Sequence, residues 1–244
     1  MDRLVELGSL TRDAAQFLDG AVQAGLSIVV SGPTGSGKTT MLNCLGASIA
    51  SLEERCVVCE EVPELELERH LPDCVSLIAR SGNLEGAGEI RLRDLVRNAL
   101  RMRPTRIVVG EVRGAEALDL LLSLNTGHEG SLTTVHGNSP RDALERISTL
   151  AMMAGEKLGH EVLTRMVART IDLVVQLRFE ALSRQRRVHS IFEVTGLEGD
   201  VITGNDLWTI DRASDRLTWT GIRPRGLERM AARGIPYDPP AGLP

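Results

Sequence analysis

Gly32-Pro33-Thr34-Gly35-Ser36-Gly37-Lys38-Thr39, followed by Thr40, lies between an apolar run, Leu26-Ser27-Ile28-Val29-Val30-Ser31, and a segment that reads as a helix from about Lys38. The eight residues fit G-x-x-x-x-G-K-[ST], and an apolar strand before and a helix after are the context this pattern needs. Glycines let the backbone wrap so that successive N–H groups point at phosphate oxygens. The helix that follows adds its positive end. Lys38 would reach terminal phosphates as a mobile point charge, and the Thr39 hydroxyl can ligate Mg2+. Of 28 basic residues only Lys38 and Lys157 are lysines, the rest being arginine. One of two lysines therefore stands where this chemistry requires one. The candidate phosphate-contacting set is Gly32, Pro33, Thr34, Gly35, Ser36, Gly37, Lys38, Thr39 and Thr40.

Three further apolar runs end in a polar residue. Ile107-Val-Val-Gly-Glu111 is a strand tipped by an acid able to hold Mg2+ through water or to orient an attacking water. Cys56-Val-Val-Cys-Glu60 is another, and Ser131-Leu-Thr-Thr-Val-His136 a third. In a parallel sheet the C-terminal ends of strands gather along one edge, where ligands bind. Glu60 and Glu111 would then sit near one γ-phosphate from neighbouring strands, one serving the metal and the other activating water as general base. The competing reading places Glu60 and Glu61 in an acidic run with Glu64, Glu66 and Glu68, a solvated face. His136 could sense or bond the γ-phosphate, or be a satisfied structural histidine.

The remaining chain reads as alternating helices and strands. A helix follows Thr11 as N-cap and stops at Gly25. Cys74 to Arg80 is a strand with Val75, Leu77 and Ala79 inward, and Gly82 to Gly88 is a loop. Leu92 to Met102 is an amphipathic helix that Pro104 ends. Ala115–Leu124, Pro140–Met153 (with Ser139 as N-cap) and His160–Thr170 are helices. After Asp172 the pattern becomes antiparallel. Leu173–Phe179 and Arg187–Thr195 flank an Arg184-Gln-Arg-Arg187 turn; Leu207–Asp211 and Leu217–Thr220 form a second, smaller hairpin, and Pro224–Gly234 a short helix. The expected fold is α/β with a mostly parallel central sheet. Residues 1–172 form its core, 173–234 a β-rich extension of the same domain, and 235–244 a tail.

With 244 residues, 42% hydrophobic and 25% charged, the composition is that of a globular protein. The net charge of −5 and the 2% aromatic content weigh against a nucleic-acid footprint or a base-stacking surface. Only the cluster Arg184, Arg186, Arg187 favours a DNA-directed ATPase, and it reads more simply as a solvated hairpin tip or subunit contact. The scarcity of aromatics predicts an aliphatic core. Cys56 and Cys59 fall three apart on a strand, hence on opposite faces. With no second pair to complete four ligands, the cysteines read as buried thiols.

Together these motifs resemble the type II/type IV secretion ATPase superfamily, and within it the CpaF-like branch that powers tight-adherence (Flp-type) pili. The likeness rests on Gly32–Thr40, Glu60-Glu61, Arg93 to Pro104, Arg106-Ile-Val-Val-Gly-Glu-Val-Arg-Gly114 and Asn125 to Pro140, and extends to Asp172–Gln176 and Glu193–Asp200. The resemblance implies a RecA-like P-loop fold, ATP and Mg2+ as ligands, and a hexameric ring with ATP between subunits. It further implies a place at the cytoplasmic face of the inner membrane, on platform proteins of a secretion or pilus system, with no direct contact to nucleic acid. It assigns Glu60 as base, Glu111 as Walker B acid and metal residue with Thr39, and His136 as the histidine near the γ-phosphate. Departures are Glu61 where relatives usually carry Asp, the absent four-cysteine zinc module, and a start about 30 residues before the loop. Relatives place a further domain ahead of this point that helps cover the nucleotide and donates arginines. A catalytically weak, nucleotide-binding subunit is therefore the alternative expectation, with Arg101 and Arg113 as candidate substitutes for that charge.

Overall fold

Short apolar runs of β-branched residues build the centre of the molecule. The computed structural model describes residues 1–49, 54–84, 87–181 and 183–240. In chain order the elements are α1 (Asp2–Glu6), α2 (Arg12–Gln23), β1 (Ile28–Ser31), α3 (Lys38–Ala47), β2 (Cys56–Glu60), β3 (Cys74–Ile78), α4 (Leu92–Ala99) and β4 (Arg106–Val109). They continue with α5 (Glu116–Asn125), β5 (Leu132–Val135), α6 (Pro140–Met152), α7 (His160–Thr170), β6 (Leu173–Glu180), β7 (Gln185–Glu198), β8 (Val201–Asp211), β9 (Arg216–Trp219) and α8 (Gly226–Ala232). Nine strands form one sheet in the order β3-β2-β4-β5-β1-β6-β7-β8-β9. β1 pairs in parallel with β5 and β6, and β2 with β3 and β4. The last four strands form an antiparallel meander.

Strands β1, β2, β4 and β5 are buried along their whole length, which explains their unbroken apolar runs. A core lies on each face. Cys56 belongs to one and Cys59 to the other, as spacing three on a strand requires. Burial pushes the Cys59 thiol up to about 12, and a side-chain hydrogen bond with Cys74, then burial, pushes Cys56 up too. The core is not purely aliphatic, because Phe17 and Trp208 meet at 4.8 Å and Tyr237 joins Phe17 at 5.7 Å. Asp13 accepts the indole N–H of Trp208 at 2.7 Å, so the ring is buried with its polar atom satisfied.

Several expectations need correction. The two separate hairpins after Asp172 are one continuous meander, since β7 runs on to Glu198 and pairs with β8 from Val201. Register shifts at Ile191/Phe192 and Val194/Gly196 break the alternation that would have signalled this. The hairpin turn falls before Gln185 rather than at Arg184–Arg187, and α1 was not anticipated. Helix α4 stops at Ala99 and β3 at Ile78, although Val75, Leu77 and Ala79 alternate inward as expected. Ser139 caps α6 by accepting from Asp142 N, whereas Thr11 occupies its N-cap position without a side-chain bond. Glu85 and Gly86 of the expected loop and residues 241–244 of the tail lie outside the described residues.

One buried charge ties the sheet to its helices. Arg106, 2% exposed, pairs with both carboxylate oxygens of Glu54 and donates to Val22 O at 2.6 Å. Removing one partner of a buried pair leaves an uncompensated charge. Glu54→Ala is therefore expected to destabilise the fold by about 3 kcal/mol, read as a lowered urea midpoint. A shift too small to measure would show that the backbone carbonyls satisfy Arg106 unaided.

Candidate functional site

The parallel strands bring their C-terminal ends to one edge, where the tips of β2, β4 and β5 and the loop after β1 line one cavity. Its volume is about 440 Å3, and its lining includes Lys38, Thr39, Glu60, Glu111, Arg113 and His136. Thr34, Gly35, Gly37 and Thr40 line it as well, whereas Gly32, Pro33 and Ser36 do not. Gly37, the N-cap of α3, has φ 95°, a left-handed value that glycine adopts without cost. From the loop Lys38 folds inward, its Nζ donating to Gly32 O at 3.2 Å and Pro33 O at 3.3 Å. Burial pulls its ammonium below the ordinary lysine range, and Glu111 opposes the shift.

Glu111 is the hub of the site. Its Oε1 lies 3.6 Å from Lys38 Nζ and 3.0 Å from His136 Nε2, and Arg113 pairs with it from the other side. Burial, and then the charge of Lys38, hold His136 below its ordinary range. Between β4 and β5, Thr134 fixes the strand tip by donating to Gly110 O at 2.8 Å and accepting, through its carbonyl, from Val112 N at 2.9 Å.

Glu60 is 3% exposed. Its Oε1 accepts from the backbone N–H of Glu64 and of Leu65, each at 3.0 Å, while Oε2 is buried without a partner among the described residues. Burial pushes this carboxyl above its usual range, against the two backbone bonds. Gly110 makes the room, since a Cβ there would lie 3.0 Å from Glu60 Cγ. A side chain at position 110 would push the acid aside.

The acidic run is thus divided. Glu60 is buried, Glu61 and Glu64 line the cavity, and Glu66 and Glu68 point outward to Arg69 and Ser76. Glu64 accepts from Thr39 Oγ1 at 2.9 Å, a contact that spacing alone did not show. Of the two arginines suggested for the phosphates, Arg113 lines the cavity and Arg101 does not. Arg186 lines it instead, reaching across from β7 to donate to Gly35 O at 2.6 Å. Arg184 and Arg186 are exposed beside the β6–β7 turn, as a solvated tip requires, and Arg186 also reaches the loop. Arg187, its neighbour, bonds Asp215 at 2.8 and 3.0 Å.

The family model described as Type II/IV secretion system protein matches residues 1–206. The chain belongs to this family. It is 42% identical over 209 residues to a Mycobacterium tuberculosis protein named for conjugal transfer, covering 86% of this chain and 57% of that one. With the type IV secretion system protein PtlH of Bordetella pertussis it shares 39% identity over 184 residues, 74% of this chain and 54% of the relative. Among solved structures, the VirB11 ATPase of the Brucella suis type IV secretion system, in complex with sulphate, superposes with a TM-score of 0.66 at 34% identity. That match covers 78% of this chain and 54% of the other. The chain spans about half the length of the curated relatives it matches. The fold is the RecA-like α/β arrangement with its antiparallel extension. No helix among the described residues is long and apolar enough to cross a membrane.

Proposed function

We propose that the chain is the ATP-hydrolysing part of a type II/IV secretion motor. The observation that carries this is the convergence of Lys38, Glu60, Glu111 and His136 on one cavity at the edge of a parallel sheet. A buried polar atom of the cavity lining without a partner among the described residues, Glu60 Oε2, fits a site completed by a polar ligand. No group of three or more His, Cys, Asp or Glu among the described residues is placed to hold a metal by itself. That suits Mg2+, which is held by one or two protein oxygens together with phosphates and water. Thr39 Oγ1 and Glu111 would hold it, and it would neutralise charge on the phosphates.

The protein's own part follows from the geometry. Backbone N–H groups of residues 34–40 cradle the phosphates, and Lys38 carries charge to the terminal ones. Glu60, anchored through Oε1, offers Oε2 to take a proton from a water attacking the γ-phosphorus. His136, with Nε2 3.0 Å from Glu111 Oε1, is placed to report on that carboxylate's position. A second cavity of about 320 Å3, walled by Leu4, Leu7, Met41 and Leu177, shares Gly37, Thr40 and Arg186 with the first; its apolar wall suits the nucleoside.

In this reading residues 1–172 and 173–234 act as one unit, supported by the shared sheet. The chain works in a homo-oligomeric, hexameric ring at the cytoplasmic face of the inner membrane, on platform proteins of a secretion or tight-adherence pilus system. The sequence likeness and the secretion proteins named above support this. Phosphate release from MgATP by the purified chain, alone and in its assembled form, tests the activity. Release that Lys38→Ala abolishes is the expected result. Binding without release in any assembly state would select the nucleotide-binding, catalytically weak reading instead.

A further inference from the structure

Three cations line the phosphate cavity, and two are already committed to carboxylates. Lys38 faces Glu111, and Arg113 pairs with Glu111 and lies 3.7 Å from Glu61. Arg186 differs. Its Nε donates to Gly35 O at 2.6 Å, and among the described residues no carboxylate lies within ion-pairing distance of it. A guanidinium has five N–H donors in a fixed fork. One is spent on the loop, and the Nη donors make no bond to protein among the described residues.

Arg186 is exposed at the rim, and its side chain lies along three neighbours. Arg186 is the cross-strand partner of Phe179 in the β6–β7 pair, and its guanidinium sits over the Phe179 ring, 5.6 Å from the centroid. Its stem runs beside Gly37, where a Cβ would lie 3.5 Å from Arg186 Cδ. Ring, loop carbonyl and glycine together fix a planar cation at the rim of a cavity built for phosphate. Such a fork matches phosphate oxygens, which a lone ammonium does not.

We propose that Arg186 is a substrate-contacting residue: anchored through Nε to the loop, it presents its Nη fork to the phosphates of the bound nucleotide, supplied by the same chain that supplies Lys38. This rests on the nucleotide reading given above. It goes beyond that reading by assigning a phosphate-contacting arginine to the antiparallel extension. That extension then senses occupancy of the cavity directly.

Two substitutions separate charge from loop anchoring. In Arg186→Gln the amide nitrogen falls where Nε stood, so the bond to Gly35 O is kept while fork and charge are lost. In Arg186→Lys the charge is kept and that bond is lost. Calorimetric titration with MgATP and with adenosine, which has no phosphate, reads the difference, and melting temperature reports folding. Arg186→Gln is expected to weaken ATP binding about ten-fold or more, to weaken adenosine binding far less and to melt as the parent does. Arg186→Lys, which keeps the charge without the fork, is expected to recover only part of the affinity. Arg186→Gln binding ATP like the parent, with Arg186→Lys impaired, overturns the proposal and makes Arg186 a loop anchor alone. A parent chain that binds no ATP overturns the nucleotide reading, and this one with it.

Discussion

Glu60→Gln binds MgATP as tightly as the parent chain but turns it over at least about a hundred-fold more slowly. The side chain keeps its shape, and Gln Oε1 can still accept from Glu64 N and Leu65 N. What disappears is the carboxylate oxygen that is buried without a partner and able to take a proton. Burial raises the Glu60 pKa, so parent turnover climbs with pH through a value above the ordinary carboxylate range. The same shift has a stability sign. The folded chain holds a proton that the unfolded chain has released, so the parent loses stability as pH rises from the unfolded pKa through the folded one. Glu60→Gln is free of this loss, and its melting temperature should draw above the parent's across that window. Turnover within a few-fold of the parent's would remove Glu60 from the chemistry.

Lys38→Ala loses nucleotide binding, by about a hundred-fold or more, because each charge-assisted bond to phosphate contributes about 1.5–3 kcal/mol. No other lysine lines the cavity. A second readout does not depend on nucleotide. The charge of Lys38 is among the causes that lower His136, so its removal raises the histidine pKa toward the ordinary value, visible as a displaced NMR titration. The fold should survive, since Glu111 keeps Arg113 and His136 as partners. Affinity for ATP unchanged by this substitution would dismiss the loop as a phosphate cradle.

The sheet edge was legible in the sequence because each of its strands is a short apolar run ending in a polar residue. Glu60, Glu111 and His136 follow that rule, and the structure collects them in one place. Long-range pairing was not legible. Arg186 meets Gly35 only because β6 lies beside β1 and β7 beside β6, an adjacency across some 150 positions that no local pattern carries. Glu64 was hidden for a different reason. It stands in an acidic run whose members separate only when the chain turns back to bond Glu60 and Thr39. The β7–β8 pairing was lost to bulges, which scramble the two-residue period.

Strand β1 owes one of its two neighbours to β6. A chain cut ahead of Leu173 would leave the strand that carries the phosphate loop with a bare row of backbone donors and acceptors, flanked by Ile28, Val29 and Val30. Such a seam is a template for pairing with other chains. The antiparallel apron thus guards the nucleotide strand against aggregation, whatever else it senses.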